Sequence, residues 1–137
     1  PKAFRKLYFG MSLEEFAKVK KKLPSDDLVR EKFRYRWLEK FGKKGDHLAA
    51  VYFFGEGEGK PLYEIVIYYK TIQARTKFLE KHFGPPNHNK VEWKFSTGEG
   101  FIMRAWNFEE RLVIVGAVPG TEFELEKEPL NNIKKEE

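Results

Sequence analysis

The chain has 137 residues, 41% hydrophobic and 34% charged, with 13 Phe, 6 Tyr and 3 Trp, which suits one domain with its own core and argues against a disordered chain. It has no cysteine, which excludes disulfides and thiolate metal sites, and no run of 18 apolar residues, which excludes a spanning helix. The formal charge of +5 is uneven: residues 1–60 hold 15 Lys/Arg against 9 Asp/Glu, and residues 61–137 hold 11 against 12. A basic half invites an anionic partner, although a lysine-rich solvated helix face gives the same count.

In chain order, residues 1–9 read as a lead-in strand or packed arm broken by Gly10. Ser12 and Glu15 then have capping-box spacing, with Met11 and Phe16 placed for a hydrophobic staple. Leu13, Phe16, Val19 or Lys20, and Leu23 continue an apolar stripe, so a helix is expected over 12–23, stopped by Pro24. Residues 25–30 read as a linker. From Lys32 the period changes to two, predicting strands over 32–41, 47–54 and 62–70, with Gly55 to Pro61 as a loose hairpin loop.

Thr71 is a candidate cap for a second helix over 71–83, with Ile72, Leu79 and Phe83 on one stripe and Gly84-Pro85-Pro86 as its stop. Runs rich in aromatic and β-branched residues follow at 90–96, 101–108 and 111–118, separated by turn residues, and predict an antiparallel meander. Such a meander with one buried face needs further structure to cover it. The order of helix and three strands occurs twice, with helix starts about sixty residues apart, which is a duplication spacing and not a solenoid period. The expected fold class is α+β: tandem helix-plus-three-strand-meander repeats forming one antiparallel sheet with helices on one face. One domain over 1–124, with halves of about 8–70 and 71–124, then precedes a charged, disordered tail at 125–137.

At Gly10-Met11-Ser12-Leu13-Glu14-Glu15 and Phe83-Gly84-Pro85-Pro86 the chain resembles the small bacterial envelope proteins of the SmpA/OmlA type and the β-lactamase inhibitor protein, which share a helix-then-meander fold. In that group Gly-Met-Ser/Thr opens a helix, Gly-x-Pro closes one, and aromatic-bearing strands follow. The resemblance covers about residues 8–123. It implies a non-enzymatic binding scaffold, periplasmic or envelope-associated. The lipid-bearing cysteine of the lipoprotein members and the disulfides of the inhibitor protein are absent, so none of the inhibitor's contact residues carries over. The chain begins at Pro1 without Met, so an export signal upstream is compatible with it.

No motif for catalysis, metal or phosphate stands out, and no enzyme activity or cofactor is expected. His47, His82 and His88 lack HxxxH spacing, although His82, His88 and Glu80 are near enough in sequence to test as a metal site. The Gly55-Glu56-Gly57-Glu58-Gly59-Lys60 stretch is acidic and precedes a strand, so it reads as a hairpin tip and not as a phosphate loop.

Strand alternation says more. Arg34, Arg36 and Lys40 share one face of their strand, opposite Phe33, Tyr35 and Trp37. Glu64 and Tyr68 share a face, as do Arg104, Trp106 and Phe108. A sheet with helices on one side leaves its other side open. Arg34, Arg36, Glu64, Tyr68, Arg104, Trp106 and Phe108 are therefore the candidate contacts for a protein partner. The bland alternative makes the aromatics core and the arginines solvated. A third reading stacks single-stranded nucleic acid on the same Arg and aromatic side chains, without an RNP-like signature to support it.

Overall fold

The computed structural model describes residues 6–21, 28–41, 45–82, 84, 92–96 and 102–123. They form two helices, α1 (Leu13–Lys20) and α2 (Ile72–His82), and seven strands: β1 (Val29–Glu31), β2 (Arg34–Lys40), β3 (His47–Gly55), β4 (Leu62–Tyr69), β5 (Glu92–Ser96), β6 (Ile102–Phe108) and β7 (Arg111–Gly116). Six main strands and the short β1 make one antiparallel sheet in the order β1-β2-β3-β4-β7-β6-β5. The fold is α+β. Two consecutive runs, β2–β3–β4 and β5–β6–β7, meet through their last strands.

Direct partners in an antiparallel pair point to the same side, so the register sorts the side chains into two faces. On one face Trp37, Tyr52, Ile65, Ile114 and Ala105 form a continuous row, followed by Glu39, Ala50, Ile67, Leu112 and Asn107. This is the face that the helices cover. Phe16 of α1, fully buried, meets Trp37, Tyr52 and Phe54 edge-on at ring centroid distances of 5.5, 4.9 and 5.0 Å. Phe78 of α2 lies 5.8 Å from Tyr69 and 6.1 Å from His47, and Leu79 beside it is buried.

Local chemistry places α1 as expected. Ser12 accepts from the Glu15 N–H while the Glu15 carboxylate accepts from the Ser12 N–H, completing the capping box, and Met11 is buried with Phe16. The helix is shorter than the predicted 12–23. Lys21 takes a left-handed conformation, with φ of 56°, and its N–H returns to the Ala17 and Lys18 carbonyls, so the helix closes at Lys20. Leu23 and Pro24 lie outside the described residues.

The predicted strand over 32–41 is present as β2 but starts at Arg34. Lys32 and Phe33 make a two-residue turn that folds Val29–Glu31 onto Arg34–Arg36, so part of the expected linker is strand and Phe33 is a turn residue and not a partner of Tyr35 and Trp37 in β2. Thr71 caps α2 by accepting from the Ala74 N–H, but Ile72 is half exposed, and Ala74, Phe78 and Leu79 make the helix's contact with the core instead. β7 ends at Gly116, two residues early, because the Val118 N–H turns back to the Gly116 carbonyl. Phe83, Pro85, Pro86 and the expected tail at 125–137 lie outside the described residues.

Residues 6–12 form a packed arm. The Gly10 N–H donates to the Leu62 carbonyl and the Leu62 N–H to that of Met11, which lays buried Phe9 against Gly116. A Cβ at Gly116 would stand 2.7 Å from both Cβ and Cγ of Phe9. Gly116→Ala is therefore expected to displace the arm and destabilise the fold by about 1–3 kcal/mol in urea titration. A loss under about 0.5 kcal/mol would mean that the arm yields freely.

Candidate functional site

The opposite face carries three rows. Arg36, Phe53, Glu64, Val115 and Arg104 cross the sheet in one row, and Leu38, Val51, Val66, Val113 and Trp106 in the next. Lys40, Ala49, Tyr68, Arg111 and Phe108 make the third. Arg34 precedes Arg36 by two residues and shares its face. All seven residues singled out by strand alternation (Arg34, Arg36, Glu64, Tyr68, Arg104, Trp106 and Phe108) therefore lie on this one face, and the described ring contacts of α1 and α2 lie on the other.

The end of the face near Arg34 is a charge cluster. The Arg34 guanidinium sits 3.9 Å from the centroid of Phe53. It lies 3.5 Å from Glu64, 3.3 Å from Glu122 and 3.6 Å from Glu31, and Glu31 is also 3.3 Å from Arg36. Glu64 is 8% exposed, and burial pushes its carboxyl up to about 7; Arg34 opposes the shift, and Glu122 and Glu31 add to it. Burial likewise pushes the Tyr63 hydroxyl up to about 12, against the pull of Arg34. Tyr63 and Glu64 are adjacent yet both reach Arg34, because the β3–β4 register shifts between Phe53 and Phe54.

This end is not open. Residues 119–123 turn back over it after Val118, with the Thr121 hydroxyl and N–H both donating to the Val118 carbonyl. Phe123 then lies 6.1 Å from Tyr63 and 6.2 Å from Trp106, and Glu122 reaches Arg34. The expectation of a bare face is corrected to that extent. Glu64 lies beneath the surface, where it organises Arg34 instead of meeting solvent.

The far end is different. Arg111 stands 5.0 Å from the Tyr68 ring and 5.4 Å from that of Phe108, and Arg104 stands 5.7 Å from Trp106. Phe108 is 53% exposed and Leu38 46%, with Tyr68, Val113 and Trp106 half-buried between them. Cation–π contacts at exposed sites are worth about 0.5–1 kcal/mol each, enough to bias ring orientation without fixing it. The arrangement can offer aromatic surface with oriented guanidinium groups.

Sequence reasoning missed Arg111, Glu31, Tyr63, Glu122 and Phe123. Arg111 was legible, since the two residues Glu109-Glu110 close a hairpin that sets Arg111 opposite Phe108. The other four depend on the β1 hairpin, the β4 irregularity and the chain after Pro119, which carry no periodic signal.

His47 packs against Phe41, Tyr69 and Phe78, and burial lowers its pKa. The His82, His88 and Glu80 set, which the spacing did not favour as a metal site, includes His88, outside the described residues, and no group of three His, Asp or Glu among the described residues could hold a metal ion. The Gly55–Lys60 stretch is a hairpin tip exposed at residues 56–59, closed by the Gly55 N–H on the Pro61 carbonyl and the Lys60 N–H on that of Gly57. No helix among the described residues is long and apolar enough to cross a membrane. Compared with protein-family profiles, curated proteins and solved structures, the chain matches none.

Proposed function

We propose that this chain is a non-enzymatic protein–protein interaction module that docks a partner on the sheet face opposite its helices. The observation that carries the reading is the convergence of Arg34, Arg36, Tyr68, Arg104, Trp106 and Phe108 on that face, with aromatic rings left partly exposed beside guanidinium groups. Interface hot spots are enriched in this combination of Trp, Tyr and Arg. Trp106, Phe108 and Tyr68 act as anchors, and Arg104 and Arg111 set orientation. The SmpA/OmlA-like and inhibitor-like resemblance supports a scaffold built by tandem duplication and working outside the cytoplasm. Two meanders joined through their last strands suit that history, and β1 is an addition to the first.

Single-stranded nucleic acid is the second reading, favoured by the same interleaving of Arg and aromatic residues. Against it, Arg34 and Arg36 already face Glu31, Glu64 and Glu122, leaving less charge for phosphates. It requires affinity for mixed-sequence oligonucleotides that falls steeply between 50 and 200 mM salt.

For a partner recovered on immobilised chain, Trp106→Ala is expected to weaken binding by about 2 kcal/mol, roughly thirtyfold, and Arg104→Ala by about 1 kcal/mol. Circular dichroism should stay native in both. Unchanged affinity in both variants contradicts this docking face.

A further inference from the structure

The two-residue turn between β1 and β2 places Phe33 at φ of 73°. A positive φ at the second residue of such a turn ordinarily calls for Gly or Asn, and a bulky side chain there is an outlier. The other non-glycine residues with positive φ among the described residues are Lys6, Lys21, Lys60 and Glu109, all long polar side chains that water accommodates. Phe33 alone is apolar, and it is 74% exposed. Two unfavourable features, a left-handed aromatic and a ring in water, coincide on the tip of a short edge hairpin. Neither contributes to the fold, and strain of this kind persists where it serves a site.

The surroundings indicate what the ring meets. The Lys32 ammonium stands 5.7 Å from the Phe33 ring and enters no ion pair among the described residues. Arg30, the middle residue of β1, pairs with Glu56 at 2.8 Å yet keeps 68% of its side chain exposed, while the nearer carboxylate, Glu31, is taken by Arg34 and Arg36. Val29, at the start of β1, is also exposed and apolar. The tip thus presents an apolar knob with cationic neighbours.

We infer that Phe33 is a docking knob, inserted by the β1–β2 hairpin into an apolar pocket of a partner protein whose rim carries carboxylates. This rests on the interaction reading above and adds to it an anchor at the sheet's edge and the chemistry of the receiving pocket. The knob's cost to the free chain and its value in the complex make opposite predictions for one substitution. Phe33→Gly should leave Tm unchanged or raised, and should weaken the partner at least about thirtyfold.

The test places a photo-reactive benzophenone amino acid at position 33 and, separately, at position 108, in cells that make the protein. Cross-linking from 33 into an apolar partner segment bordered by Asp or Glu, with the Phe33→Gly loss, is the expected result. A partner captured from 108 but never from 33 overturns the knob and leaves the sheet-face reading standing. Capture from neither position overturns both. Binding to phosphatidylglycerol vesicles that Phe33→Gly abolishes, with no protein cross-link, reassigns the tip to a lipid surface and overturns the pocket. A lowered Tm for Phe33→Gly also overturns it, since the ring would then be structural.

Discussion

Phe16→Ala should cost about 4 kcal/mol of folding stability, a large share of what a domain of this length has. The ring is fully buried and makes three edge-on contacts, to Trp37, Tyr52 and Phe54. Those partners come from two neighbouring strands, so their collapse into the space left behind is opposed by the sheet itself. The loss therefore includes both the transfer of the ring and an unfilled cavity. The capping box at Ser12 remains, so α1 keeps its start while losing its anchor. Urea denaturation checks this through a lowered midpoint with an unchanged slope. A loss below about 1 kcal/mol would mean that α1 does not hold the sheet in the described way.

Glu64→Gln should stabilise the protein above neutral pH. The folded carboxyl titrates at about 7, above its ordinary value of 4.5, because burial disfavours its charged form. The folded state therefore keeps a proton that the unfolded chain releases. The resulting stability is complete below pH 4.5 and is lost as pH rises through 7. At about 1.4 kcal/mol per pH unit the interval is on the order of 3 kcal/mol. Arg34 retains Glu31 and Glu122 when Glu64 is made neutral, so the substitution leaves no unpaired guanidinium. Burial of His47 lowers its pKa and gives an opposite slope, so the readout is the difference between wild type and Glu64→Gln from pH 5 to 8. Glutamine should gain about 2–3 kcal/mol at pH 8 and little at pH 5. A variant that is less stable at pH 8 would show Glu64 to be held as a favourable ion pair.

Much of this architecture is local chemistry and was legible as such. Ser12 and Glu15 need only each other, and Thr71 needs only the Ala74 N–H, so both helix starts could be read directly. Period-two alternation put Arg34, Arg36, Glu64, Tyr68, Arg104, Trp106 and Phe108 on strand faces, and the register brings those faces together. Alternation cannot say what lies above a face. That is why the return of Glu122 and Phe123, and with it the burial of Glu64, had no sequence signal: Pro119-Gly120 marks an ending, and the chain instead doubles back. The β1 hairpin was hidden for a related reason. Its turn is Lys32-Phe33, without the Gly or Asn that announces a reversal, and the same irregularity makes Phe33 informative.

Hydroxyl-radical footprinting of the chain, free and bound to its partner, tests the docking face directly. Protection concentrated at Tyr68, Trp106 and Phe108, with Phe33 joining them, is the predicted result. Protection at Leu13, Val19 and Ile72 on the helices, with the sheet aromatics oxidised as before, would contradict it.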